Sequence, residues 1–259
     1  MAKKATAAQE KALAEKGNTA LAEMPFMNED AGAGFEDTTS EDFAIPFLRL
    51  LQKLSPAVDE TSDQYVANAK PGMLINTVNK ELFAADTGAI VIPVMYERSA
   101  IEWKTRKNGG GFVAKHEIES GILETATYDE DNGWMLPNGN MISDTRSFYA
   151  LVIGSNGFPE PCLVSMSSSQ IKKSKQWLSQ MNGLKINTPN GPATAPMFSS
   201  MYQCKSAIEQ KGDDKWYGWS ITREGYVTEE IYLAAKAFRE SILSGAVTVK
   251  HDQEDPDAM

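Results

Sequence analysis

Residues 89–117 read AIVIPVMYERSAIEWKTRKNGGGFVAKHE, and the reading of this stretch decides the fold. Ala89 to Tyr96 and Ala100 to Thr105 are rich in β-branched and aromatic residues, the composition that suits a pleated, half-buried strand. Asn108, Gly109, Gly110 and Gly111 then supply residues that accept turn conformations, so Phe112 to Ala114 can return as a further strand. Outward from here the texture repeats in short apolar runs broken by Gly, Asn, Asp and Pro. It predicts strands at Met73 to Val78, Ile122 to Tyr128, Ser147 to Ile153, Pro161 to Met166, Ser199 to Glu209 and Lys215 to Ile221.

Two segments follow a helical period instead. Ser167 to Met181 sets Ile171, Trp177, Leu178 and Met181 roughly on one side, with Asn182-Gly183 as a stop. Thr228 to Ser244 opens on a capping residue followed by Glu229 and Glu230 in the positive first turn, and ends at Gly245. IPFLRLLQKLSP at 45–56 reads as a short helix or an extended segment, with Ile45, Phe47, Leu48, Leu50, Leu51 and Leu54 on its apolar face and Pro56 as its end. The run 184–196, LKINTPNGPATAP, holds three prolines and predicts an ordered edge loop or a lid. The fold class expected from these elements is mainly β (α+β). Its form would be an OB-like, partly open antiparallel barrel with extended hairpins, an inserted helix and a C-terminal helix.

The chain has 259 residues, 42% of them hydrophobic, enough to bury a core without staples. Its two cysteines, Cys162 and Cys204, suit neither a disulfide framework nor a paired-thiol zinc site, and two histidines leave little metal chemistry. No cofactor or metal is expected. No apolar run reaches the roughly 20 residues of a membrane helix, so no membrane partner is expected. The net charge of -10 is unevenly spread. Residues 1–44 carry four Lys and nine acids, and residues 250–259 carry Lys250 and four acids. Three regions follow: a flexible acidic, Ala-rich arm at 1–41, a single OB-like domain at 42–249, and an acidic tail at 250–259. Inside the domain, Pro161 to Ile208 contains five lysines and no acid. Arg98 to Lys115 carries five cations against Glu102 alone.

Catalytic devices are scarce. A nucleophile–histidine pair would have to rest on His116, since His251 lies in the tail. Gly109 to Gly111 lack the Gly-Lys-Ser/Thr ending of a phosphate loop and read as a hairpin turn. Asp129, Glu130 and Asp131 read as a solvated turn. Binding chemistry is better supplied. A single strand of nucleic acid needs cations along its phosphates and flat apolar faces for its bases. In a strand, Trp103, Thr105 and Lys107 would share one face and Lys104 and Arg106 the other, with Phe112 and Lys115 returning alongside. These form the first candidate wall. Lys172, Lys173, Lys175, Tyr202, Lys205 and Trp216 are further candidates, while Trp177 and Trp219 read as core.

The runs IPFLRLLQKLSP, KPGMLINT (70–77), IVIPVMYERSAIEW (90–103) and RKNGGGFVAKH (106–116) resemble tailed-bacteriophage proteins of the replication and recombination region. Some of those proteins are described as single-stranded DNA-binding proteins. The resemblance spans roughly Ile45 to Tyr232. It implies an OB-type fold, sequence-independent binding and protection of single-stranded DNA in the cytoplasm of the infected host, no enzymatic activity, and an acidic C-terminus that contacts replication or recombination proteins. Self-association is left open. Two rivals remain: a phage structural or host-interaction protein, which would hold its partner at high salt, and a metal-dependent enzyme on nucleic acid, which would need magnesium.

Overall fold

The computed structural model describes residues 29–30, 32–38 and 44–247; the acidic tail and most of the N-terminal arm lie outside the described residues. In chain order the strands are β1 (Leu48–Leu50), β2 (Leu74–Asn76), β3 (Leu82–Phe83), β4 (Ala89–Trp103), β5 (Phe112–Glu117), β6 (Thr127–Asp129), β7 (Gly133–Met135), β8 (Met141–Ile153) and β9 (Pro159–Met166). Helix α1 (Ile171–Gly183) follows, then β10 (Lys185–Thr188), β11 (Gly191–Thr194), β12 (Ser200–Lys211), β13 (Asp214–Tyr226) and helix α2 (Glu229–Leu243).

The ribbon of β4 and β8 is the axis of the molecule, paired antiparallel from Ile90 opposite Ile153 to Trp103 opposite Met141. The two strands expected at 89–96 and 100–105 are therefore one. Charged residues between the apolar runs stay in the pleat because each finds a partner: Arg98 donates twice to Asp144 on β8, and Lys115 on β5 meets Glu97 at 2.6 Å. At one end of this ribbon β12 pairs with Ala89 to Val91 of β4, and β9 pairs with Arg146 to Ile153 of β8. At the other end β5 pairs with Ser99 to Trp103, and β7 carries the β6–β7 hairpin. The sheet thus has a body and an arm. No closed barrel forms: the principal sheet ends at β13 and β6, and β9 pairs only with β8 among the described strands.

Strand alternation sends neighbouring side chains into two different cores. Val91, Phe148, Ala150, Val164 and Tyr202 pack with Trp177 and Met181 of α1. Ile92, Val94, Leu151 and Leu163 pack with Ala235 and Phe238 of α2. Trp177 is the plug of the first core, its ring 4.5 Å from Phe148 and edge-on to Tyr202 at 5.6 Å. Thr228 caps α2 as expected, its hydroxyl accepting from the Ile231 amide.

Several elements depart from the sequence pattern. Residues 48–50 take the extended one of the two expected forms, because Leu48 and Leu50 alternate into the core while the backbone pairs with β2, whereas Leu54, expected on the apolar face, is left 84% exposed. Helix α1 starts after a 3-10 turn at 168–170 and runs through Gly183. The segment 122–125 is a 3-10 turn, not strand. The run 184–196 holds the β10–β11 hairpin. No helix among the described residues is long and apolar enough to cross a membrane.

Candidate nucleic-acid interface

The arm does not offer the wall that alternation suggests. Trp103 is 1% exposed and meets Phe112 edge-on at 6.0 Å, so its ring is a core contact of the arm and is closed to a base. Alternation ends with β4. Residues 106–108 form a 3-10 turn, with the Asn108 and Gly110 amides donating to the Thr105 carbonyl. Thr105 is buried, Lys104 and Lys107 are exposed, and the Arg106 side chain lies outside the described residues. Behind Trp103 sits a buried polar knot. Glu102 accepts from Asn138 Nδ2 at 2.8 Å and Asn140 Nδ2 at 2.6 Å, and its other oxygen meets His116 Nε2 at 2.8 Å. Burial works against the ionised Glu102, but these hydrogen bonds outweigh it and hold the carboxyl below its ordinary range. Asp144 is likewise held down: burial opposes its charge, and Arg98 and Arg146 prevail.

The body gives a different picture. Tyr202 is fully buried under Trp177 and joins Trp103 as a candidate removed from any stacking surface; both are withdrawn because an aromatic in a packed core has no free face. Trp177 and Trp219 are buried, as core residues should be. Lys172 and Lys175 are exposed on α1, and Lys205 is half-buried on β12. Lys173 and Trp216 are brought together, both bound to Glu209: Lys173 Nζ at 3.0 Å and Trp216 Nε1 at 3.0 Å. Burial disfavours the Glu209 carboxylate, yet Lys173, Gln170 and Trp216 keep it below its ordinary value.

A seam runs past these residues along the free edge of β13. Where a strand would pair, two glutamine side chains do so instead. Gln52 Nε2 donates to the Tyr217 carbonyl at 2.8 Å and its Oε1 accepts from the Tyr217 amide at 2.9 Å, while Gln170 Oε1 accepts from the Trp219 amide at 3.0 Å. These contacts pair the edge of β13 at Tyr217 and Trp219 without closing the sheet. Over the seam lies a groove of about 740 Å³. Its lining includes Arg49 of β1 and Lys53 shortly after it, Ser167 to Gln170 before α1, and Lys211, Asp214, Lys215, Trp216 and Tyr217 from the β12–β13 hairpin. Four cations face one carboxylate, beside two half-buried aromatic rings.

Sequence reasoning did not place Arg49, Lys53, Lys211, Lys215 or Tyr217 among the candidate site residues. Lys215 and Tyr217 stood in a visibly aromatic run, DDKWYGWS, but nothing local tied them to Arg49 and Lys53, more than 160 positions earlier. The seam and the arm sit at opposite ends of β4. From Val91 to Trp103 that is a strand contour of about 40 Å, so the expected candidates make two separate basic surfaces.

Fold and geometry define a mainly β protein built on an open antiparallel sheet, covered by a helix on each face and notched by a basic, aromatic-walled seam. The chain belongs to the Pam3 phage gp34-like protein family, whose model matches residues 14–248, and it is accordingly a bacteriophage protein. No curated protein and no solved structure matches it.

Proposed function

We propose that the protein is a non-enzymatic single-stranded DNA-binding protein that holds and protects exposed strands during phage replication or recombination in the host cytoplasm. The observation that carries this reading is the seam groove, where Arg49, Lys53, Lys211 and Lys215 stand beside Trp216 and Tyr217. Cations can track the phosphates while the rings receive bases, without reading sequence. The connectivity supports an OB-type relationship. The strand order β9-β8-β4-β12-β13, with α1 entering between β9 and β12, is a meander, a helix and a returning hairpin whose closing pair is not made. In such folds loops between strands flank the bound strand; here Lys211 and Lys215 stand at the β12–β13 turn that borders the seam. Because α1 and α2 cover the two faces of β4, β8 and β9, the seam at the edge of β13 is the open part of the body. The acidic tail is proposed to contact basic partner proteins.

The test is fluorescence anisotropy of a labelled oligo-dT at low and moderate salt, with duplex as competitor. Saturable binding that weakens with salt and resists duplex is expected. No binding at micromolar protein would end the reading. One observation favours a protein-interaction role as the second reading: Tyr128 and Trp134 on the β6–β7 hairpin form an edge-to-face pair at 5.6 Å, yet are 65% and 54% exposed. That reading predicts a protein partner retained at high salt and lost in W134A.

A further inference from the structure

Three donors from three parts of the chain converge on one carboxylate. Lys173 Nζ of α1 lies 3.0 Å from Glu209 Oε1. Gln170 Nε2, from the turn before α1, and Trp216 Nε1, from β13, donate to Oε2 at 3.3 and 3.0 Å. The floor is bare: a Cβ on Gly218 would lie 2.5 Å from Glu209 Cδ, so only glycine leaves the space in which this carboxylate rests. An ammonium, an amide NH2 and an indole N–H point donors into a small pocket, while the one acceptor among them, Gln170 Oε1, is turned away to the Trp219 amide; the set suits a phosphate as well as a carboxylate. The pocket also opens on the seam, since Gln170 and Trp216 line both.

We propose that Lys173, Gln170 and Trp216 over Gly218 form a phosphate cradle, which Glu209 fills in the free protein and which a backbone phosphate of the bound strand takes over. The inference rests on the nucleic-acid reading of the seam and deepens it. Exchange of one anion for another keeps every donor satisfied and costs no buried, unpaired charge. Glu209 hangs on its own rotatable side chain, so it leaves without moving β12. Its departure hands the Trp216 indole N–H to the phosphate, which holds the ring beside the neighbouring base, and turns the Lys173 charge toward the strand. Glu209 is therefore a placeholder that sets the affinity of the groove.

The test compares E209Q and E209A with D214N, which removes a groove carboxylate outside the cradle and so measures the plain effect of one less negative charge. Two probes are used: labelled oligo-dT by anisotropy, and inorganic tripolyphosphate followed by the Trp216 indole N–H resonance, assigned with W216F. E209A is expected to bind oligo-dT at least about tenfold more tightly than the unmodified protein, the scale of one charge-assisted hydrogen bond. E209Q, which keeps side-chain volume and guards against a folding artefact, should fall between, and D214N should gain no more than about fivefold. Tripolyphosphate should shift the Trp216 resonance in E209A and fail to do so in E209A/K173Q. Equal gains in E209A and D214N, or a Trp216 resonance that tripolyphosphate leaves unmoved while oligo-dT still binds, would overturn the cradle alone. A tripolyphosphate response without oligo-dT binding in any variant would overturn the nucleic-acid reading and leave the cradle as a site for free polyphosphate.

Discussion

Replacing Lys211 and Lys215 together (K211A/K215A) tests the proposal that a single strand of DNA binds along the seam. Both side chains are exposed, flank the turn between β12 and β13, and line the seam. Neither has an ion pair among the described residues, so the fold should not register their loss. Each phosphate contact on a single strand contributes about 0.7 to the slope of log affinity against log salt, so the double variant should flatten that slope by about 1.4. Between roughly 50 and 200 mM salt this amounts to about 0.8 of a log unit, so the unmodified protein should lose about sevenfold more affinity over that range than the variant. The assay is oligo-dT anisotropy across four or five salt concentrations, with K104A/K107A on the arm as the comparison. A seam variant with an unchanged slope, alongside an arm variant with a flattened one, would refute the placement and move the strand to the arm.

Other perturbations report on the scaffold. Trp177→Ala empties the plug between Phe148 and Tyr202 and should cost about 3–5 kcal/mol, lowering the thermal midpoint by roughly 6–20 °C; a loss under about 1 kcal/mol would mean that α1 is not anchored there. Glu102 and Asp144 are held below their ordinary pKa values, so the stability they give is present above the usual glutamate value of 4.5 and is lost as pH falls through their lower folded values. E102Q should accordingly be less stable at neutral pH and decline less steeply into acid, measured as urea midpoints against pH; parallel curves would sink this account. Gly88 has φ +65°, and a Cβ there would press into the Cys204 carbonyl at the β4–β12 junction, whereas Gly109 at φ +89° has open space around it. Gly88→Ala should therefore cost markedly more than the roughly 1 kcal/mol of backbone strain expected for Gly109→Ala, and equal unfolding midpoints would argue against that close approach.

The amino-acid pattern by itself determined that the chain is mainly β, that a helix enters late between strands, and that Thr228 begins a capped C-terminal helix. These are local matters: β-branched runs, glycine and asparagine turns, a capping hydroxyl and a 3.6 period act over a few residues. The sequence also showed that Trp177 and Trp219 belonged to the core. It wrongly set Trp103 apart from them as a stacking residue, because a tryptophan beside lysines looks the same whether its ring faces solvent or the inner side of a hairpin. That was decided by the pairing of β4 with β5, which sets Phe112 against it. Local charge misled for the same reason. The stretches Arg98 to Lys115 and Pro161 to Ile208 looked unopposed, but the sheet brings Asp144 to Arg98, Glu97 to Lys115 and Glu209 to Lys173. The seam was decided by tertiary structure alone. Gln52 and Gln170 meet the edge of β13 across 165 and 49 positions of sequence, and only the register of β12 with β13 and the seat of α1 bring Arg49 and Lys53 to Lys215 and Trp216. A groove assembled from such distant segments leaves no local period or motif, because what unites its residues is the packing of the elements that carry them.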